Sequence, residues 1–225
     1  MIKIKSDSAP ILAASLSRCF SNTARVSDLL GVYKDTKNQD VLRMCVSFLH
    51  ATVEDCMRNL VYFRLTRSKS KSVLNQVPLI GTSNTGRSEK FLLGELIRFE
   101  NESVDSIIEK SICEYVNRLT FNNTNDIMAY VSQFNLDGKD IVPLLSDLDS
   151  LITRRHNIVH NSDFATNRSL LNIEAEVQLG TKDSYELEPI DSETVELWLS
   201  TTSKFFMQII PLFLPDGESI SLQNM

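Results

Sequence analysis

Apolar residues recur every three to four positions along most of this 225-residue chain, which is the spacing of amphipathic helices. The clearest stripe starts near Asp40 and continues for about six turns. Its members are Leu42, Cys45, Val46, Leu49, Val53, Cys56, Met57, Leu60 and Phe63. A final stripe follows Asp191 and Ser192, both candidate N-caps, and Pro211 closes it. The pattern predicts an all-α helical bundle.

Two segments depart from this spacing. Residues 66–88 are polar and contain a proline and two glycines, which predicts a long irregular loop. Between about 170 and 190, apolar and polar residues alternate on both sides of Gly180, which predicts a small β-hairpin before the C-terminal helix. Both segments interrupt the helical pattern without dividing it, so we expect residues 1–225 to form a single domain.

One predicted helix has a charged residue within its apolar stripe. Asp137 or Asp140 is the candidate N-cap of this helix. Its stripe, continued in steps of three and four, consists of Ile141, Leu145, Leu148, Ile152, Arg155 and Val159. Arg155 is thus predicted at the centre of an apolar face, with His156 and His160 one turn apart toward its edge. Burying a charge at such a position costs free energy unless the charge is paired or takes part in function. The position of Arg155 therefore suggests a functional site.

Residues beside this stripe are candidate supporting groups. Arg154 is predicted to point away from the apolar face, which makes it the weaker candidate of the two arginines. Asn161, Ser162 and Asp163 follow directly and could either cap the helix or orient His160, and a cap is the simpler interpretation.

Composition and charge narrow the class of protein. A hydrophobic content of 42% with seven glycines and six prolines is typical of a soluble, helix-rich globular protein. The net charge of −6 argues against a protein that coats nucleic acid, although a local basic site remains compatible with it. No secretory signal, membrane span or Cys-x-x-Cys spacing is visible, so we expect a cytoplasmic protein with reduced cysteines and no membrane partner.

One basic cluster stands out within the predicted loop region. Its members are Arg64, Arg67, Lys69 and Lys71. The cluster is either a solvated loop or a contact for RNA, and the sequence favours neither.

The decapeptide around Arg155 also resembles a known motif. Arg155-His156-Asn157-Ile158-Val159-His160 has the arrangement of the HEPN superfamily, which is an arginine, a polar residue, three further residues and a histidine. A long helix upstream with His50-Ala51-Thr52-Val53-Glu54-Asp55 and an amphipathic helix downstream extend the similarity. The resemblance implies a dimeric all-α protein, often a metal-independent RNA endonuclease of bacterial or archaeal defence and toxin systems.

The implied reaction suits these residues. Cleaving RNA without a metal requires one proton to leave the 2′-OH and another to reach the departing 5′ oxygen, and imidazole can serve both steps. The resemblance therefore implies catalytic roles for Arg155, His160 and His156, with the arginine stabilising charge on the phosphate. Facing copies in a homodimer would supply two motifs, and the apolar seam around Arg155 could be the subunit interface.

Other interpretations of the same residues stay open. Two histidines spaced four apart can share a metal, but His50 is the only other histidine and no further ligand set is visible, so no metal or other cofactor is expected. The histidines could also be structural at the end of a helix. Glu54 could support the site, although a solvated pair with Arg58 and a flanking position for His50 are the simpler interpretations.

These observations predict a HEPN-like bundle acting as a homodimeric, metal-independent endoribonuclease on an RNA substrate, in a bacterial defence or toxin–antitoxin setting with a possible antitoxin partner. The alternative is a non-catalytic HEPN module that binds RNA, a nucleotide or a partner protein. A helical interaction protein that carries the motif by chance is the third interpretation.

Overall fold

The protein is described by a computed structural model covering residues 2–4, 9–80, 97, 99–160, 163, 187–214 and 220–222. The described part has seven α-helices: α1 (Ala9–Thr36), α2 (Gln39–Arg67), α3 (Lys71–Leu74), α4 (Val104–Asn117), α5 (Thr124–Gln133), α6 (Leu145–His160) and α7 (Ser192–Leu212). Two short strands, β1 (Ile2–Ile4) and β2 (Ile220–Leu222), pair antiparallel. The predicted all-α class is confirmed.

Helix α2 is the central element of the bundle. It packs against α1, α4, α6 and α7. The predicted stripe from Leu42 to Phe63 is buried along its whole length. Asn38 caps this helix by accepting the backbone N–H of Asp40 at 2.9 Å, so α2 begins one residue before the predicted position.

The last helix, α7, covers the other side of this core. Asp191 caps it by accepting the N–H of Thr194 at 2.7 Å, as predicted. Its buried side chains are Val195, Trp198, Thr201, Thr202, Phe205, Phe206, Ile209 and Ile210. Pro211 falls in its final turn, and α7 ends at Leu212. Three cysteines lie in the core, whereas Cys113 is exposed.

Some predicted boundaries differ from the structure. The loop predicted at residues 66–88 contains the short helix α3, and residues 81–88 lie outside the described residues. The predicted hairpin falls almost wholly outside them too, since only 187–190 are described. No helix in the described ranges is both long and apolar enough to cross a membrane.

The N-cap predicted for the motif helix is wrong. Asp137 accepts the N–H of Lys139 instead, and a 3-10 turn with Pro143 precedes α6, which begins only at Leu145. Because α6 starts this late, both Asp137 and Asp140 lie too far upstream to cap it.

The turn between α5 and α6 depends on a glycine. A Cβ at Gly138 would lie 2.9 Å from Val131 Cγ1 and 3.3 Å from Met128 Cε, and the branched Val131 is itself buried. We expect Gly138→Ala to lower the free energy of unfolding by about 1–3 kcal/mol, as overpacking typically does. Chemical denaturation measures the change.

Gly31 provides the matched control, because a Cβ there meets nothing within 4 Å and the residue lies inside α1. Gly31→Ala should stabilise the protein by about 0.5–1 kcal/mol. Equal effects of the two substitutions would contradict this account of the turn.

Candidate functional site

The site is built on the C-terminal half of α6, which packs against α2 and α7. Leu148, Leu151 and Ile152 are buried on its inner face. Beyond them the helix turns polar, and Arg154, Arg155, His156 and His160 occupy its last two turns. The buried face anchors the helix, so the positions of these four side chains are set by their angles around it.

Arg154 is buried and fully engaged, contrary to the prediction that it points away from the core. Only 8% of the residue is exposed. Its Nη2 donates to Asp163 Oδ2 at 3.0 Å and to the Glu188 carbonyl at 2.6 Å. Its Nη1 pairs with Glu188 Oε2 and lies 2.8 Å from Asp163 Oδ1, an ion pair poorly aligned for a hydrogen bond. Arg154 is therefore a structural residue.

Arg43 of α2 reaches the same carboxylate from the other side. Its Nε donates to Asp163 Oδ2, and its Nη2 donates to the Glu188 carbonyl at 3.1 Å. We call these four residues the Arg43–Arg154–Asp163–Glu188 network. Its two positive and two negative charges balance, which offsets the cost of burying them. The network joins α2, α6 and the segment that leads into α7.

Asp163 closes the end of α6 through its backbone. Its N–H donates to the Asn157 carbonyl at 3.1 Å, and its φ of 60° lies in the left-handed region that aspartate tolerates better than most residues. Its own carbonyl accepts the N–H of Glu188 at 2.9 Å. The backbone thus caps the helix, as predicted for this segment, while the side chain binds arginines rather than orienting His160. Asn161 and Ser162 lie outside the described residues.

Arg155 lies on the side of α6 that faces α2. It is half-buried, and its positive charge acts on His50 of α2. Among the described residues it has no hydrogen-bond or ion-pair partner. Val159, the next position of the predicted stripe, is 50% exposed, so the apolar face reaches the surface at the end of the helix.

His50 is a buried member of this site rather than a flanking residue. It is 1% exposed, and its Nε2 lies 3.2 Å from the Phe121 carbonyl. Burial lowers the pKa of His50 below its usual value, and the charges of Arg155 and Arg58 add to this effect. Glu54 and the Phe121 carbonyl oppose it. The imidazole beneath Arg155 is thereby kept neutral.

Glu54 also does more than form a solvent-exposed ion pair with Arg58. Its Oε1 accepts the Phe121 N–H at 3.2 Å, while its Oε2 lies 3.6 Å from Arg58 Nη2. Arg58 in turn donates to the Leu119 carbonyl at 2.8 Å. These bonds fix the chain between α4 and α5 against α2, so Glu54 shapes the surroundings of His50.

The two histidines of the motif are on the exposed side of α6. Their ring centroids are 4.5 Å apart with an interplanar angle of 38°. Arg155 and His160 are five residues apart, which on an α-helix corresponds to about 140°. The structure thus brings His156 and His160 together at the exposed end of α6, whereas Arg155 is half-buried.

The basic cluster predicted at the end of α2 is partly structural. Arg64 Nη2 donates to the carbonyls of Leu212 and Leu214, both at 3.0 Å, and so caps the end of α7. Arg67 stacks over the Phe63 ring at 4.0 Å. Lys69 and Lys71 are exposed. Since Arg64 follows His50 by fourteen residues, it lies about 20 Å along the helix from the site.

Sequence reasoning missed Arg43 and Glu188. Arg43 flanks the apolar stripe of α2, where a charge is ordinary, and Glu188 lies in the segment predicted as a hairpin. Neither position carries a local signal of its role. Within the described ranges, no three His, Cys, Asp or Glu side chains are grouped closely enough to hold a metal ion.

The network should make a large contribution to stability. We expect Asp163→Asn to lower the free energy of unfolding by about 3 kcal/mol, because it leaves the buried Arg154 and the half-buried Arg43 with one carboxylate fewer. Asp40→Asn is the control, since the Asp40 carboxylate also pairs with Arg43, at 3.2 Å, but is largely exposed; it should change stability by less than about 1 kcal/mol. Similar losses in the two variants would contradict a special role for the network.

The sequence matches one protein-family model. The model for RiboL-PSP-HEPN covers residues 15–179, which is well over half of the sequence and includes α6 with its arginine and histidines. No curated protein and no solved structure matches the chain. The extent of the match confirms the similarity expected from the motif, and the chain belongs to the RiboL-PSP-HEPN family of the HEPN superfamily.

Proposed function

We propose that the protein is a metal-independent endoribonuclease. The observation that carries this proposal is the contrast between two adjacent arginines: Arg154 is saturated by carboxylates, whereas Arg155 has no ion-pair partner among the described residues. A half-buried guanidinium that has no carboxylate partner in the described part of the chain is suited to binding an anionic phosphate. Family membership supports the same reaction class.

The residues match the needs of the reaction. The 2′-OH attacks the adjacent phosphorus, its proton passes to a base, and the departing 5′ oxygen takes a proton from an acid, which leaves a 2′,3′-cyclic phosphate. His160 is exposed and can reach a bound phosphodiester, with His156 beside it. Arg155 would stabilise the charge that builds on the phosphate oxygens.

The angle between Arg155 and His160 indicates that one chain does not complete the site. We therefore propose a homodimer in which Arg155 of one chain and His160 of the other meet. An apolar surface between α2 and α6 supports this arrangement: Met44, Phe48, Ala51 and Ile158 line a shallow cavity of about 590 Å³ that Arg43 also borders. Met44 is 48% exposed and Val159 is 50% exposed, which is costly for a monomer in water.

The same angle favours a second candidate function. If the chain is monomeric and Arg155 and His160 do not meet on one phosphate, the protein would be a HEPN module that binds RNA, a nucleotide or a partner protein without cutting. Cleavage assays and a measurement of the oligomeric state distinguish the two functions.

One surface is a candidate for holding RNA outside the reacting centre. The groove of about 480 Å³ along α6 beside α7 is poorly suited to a polyanion, because Asp149, Glu188 and Asp191 line it together with several hydroxyl groups. At the far end of α2, Lys69 and Lys71 are free to meet a longer strand, whereas Arg64 and Arg67 serve the fold.

The biological setting is proposed from the family alone. HEPN ribonucleases act in bacterial defence and toxin–antitoxin systems, and we propose such a setting here, with RNA as the substrate and an antitoxin as a candidate partner.

The reaction is tested with two substitutions. We expect Arg155→Ala and His160→Ala each to slow RNA cleavage by about 100-fold or more, because each removes one group that the transition state requires. His156→Ala should have a smaller effect. Cleavage of a labelled oligonucleotide, in excess EDTA, gives the rates, and the product should end in a 2′,3′-cyclic phosphate.

Arg118→Ala is the control for loss of an exposed arginine, since the Arg118 side chain pairs with Glu114 far along the sequence from α6. It should cleave like the wild type. Full activity of Arg155→Ala or His160→Ala, or activity that EDTA removes and magnesium restores, would contradict the mechanism.

The dimer is tested by charging the apolar surface. Met44→Glu should shift the protein from dimer to monomer in light scattering and abolish cleavage, because a carboxylate would be buried at the interface. Val32→Glu is the matched control: Val32 is 46% exposed on α1, away from α6, and its replacement should leave the dimer intact. A monomeric wild type would rule out this arrangement.

Mixing subunits tests the shared site directly. Equal amounts of Arg155→Ala and His160→Ala chains, unfolded and refolded together, should recover about a quarter of the wild-type rate, because half of the dimers are mixed and each mixed dimer has one intact composite site. No recovery would show that each chain uses its own arginine and histidine.

A further inference from the structure

The paired histidines have a geometry that the ribonuclease reaction does not require. General acid–base catalysis needs imidazoles that reach the substrate, yet His156 and His160 lie ring against ring, 4.5 Å between centroids, at the exposed end of α6. Neither ring has a hydrogen-bond or ion-pair partner among the described residues. Within the described part of the chain, both therefore have a ring nitrogen that an external ligand could reach.

The distance between the rings is that of a chelating pair. A zinc–nitrogen bond is about 2.0–2.1 Å long, so two imidazoles that bind one ion have centroids from about 4.5 Å apart at a right angle to about 5.2 Å apart at the tetrahedral angle. The observed 4.5 Å falls in that range. The spacing of four residues on one helix holds the rings in place, so an ion could bind without a change in the backbone.

We propose that His156 and His160 form a two-histidine binding site for a divalent transition metal ion of the zinc, copper or nickel class. Imidazole favours these ions over magnesium and calcium, which prefer oxygen ligands. Water or the same two histidines of a second chain complete the coordination. With two protein ligands the site binds reversibly and more weakly than a four-ligand structural zinc site.

A bound ion would regulate the proposed ribonuclease, and this consequence rests on the proposed function. Coordination uses the lone pair with which an imidazole accepts a proton, so metal-bound His160 cannot act as the base. The ion is then an inhibitor and not a cofactor. A chelator would release the enzyme from inhibition.

Metal binding is measured without RNA, on protein from which any purification tag has been removed. Calorimetry with Zn²⁺ and electron paramagnetic resonance with Cu²⁺ should show a site whose spectrum reports at least two nitrogen ligands. His156→Asn and His160→Asn should each weaken binding about tenfold or more, because each leaves a single imidazole. Both residues are exposed, so the fold should be kept, and circular dichroism checks it.

A repositioned pair gives the sharpest control. The double variant His156→Asn, Thr153→His keeps three histidines in the chain but places two of them seven residues apart on α6, about 10 Å along the helix. It should bind no better than His156→Asn. Unchanged affinity in either single variant, or affinity restored by the repositioned histidine, would overturn the proposed site.

Cleavage assays separate this inference from the proposed function. Zn²⁺ should inhibit the wild-type protein, and EDTA should restore the rate. Cleavage that proceeds unchanged at zinc concentrations that saturate the site would overturn the inhibitory role alone. Metal binding with the expected dependence on His156 and His160, in a protein that never cleaves RNA, would overturn the proposed function and leave the metal site standing.

Discussion

The carboxylate of Asp163 is the point on which the arrangement of this protein depends. It is buried between the guanidinium groups of Arg43 and Arg154, which come from the two helices that carry the site. Glu188 completes the charge balance and connects the network to α7. Without this carboxylate the two guanidinium groups would repel each other, and the end of α6 would lose its ionic connection to Arg43 of α2.

The network also separates the roles of two neighbouring arginines. Adjacent residues on a helix differ by about 100° in direction, so Arg154 meets the network while Arg155 faces His50. Burial keeps His50 neutral, and a neutral imidazole does not repel the guanidinium above it. Arg155 is thereby half-buried without an ion-pair partner among the described residues, in a chain with a net charge of −6.

The exposed side of α6 has a different character. His156 and His160 are exposed at the end of α6, whereas Met44, Phe48 and Ile158 line an apolar surface between α2 and α6. The elements expected of a phosphodiester-cleaving site are therefore present but divided around one helix. The proposed homodimer would join them, and the proposed metal ion on the two histidines would block His160.

Local patterns were sufficient for much of the fold, because the periodicity of a helix is a property of neighbouring residues. The stripe from Leu42 to Phe63, the cap at Asp191 and the arginine–histidine motif were all readable, and the motif identified the family. The roles of Arg154, Arg64 and His50 were not. Their partners lie 34, 148 and 71 residues away, and only the tertiary structure decides which polar group a buried side chain meets. The sequence pattern can reveal that a charged residue will be buried at a free-energy cost. It does not reveal the group that offsets this cost, because that group lies in a distant part of the chain.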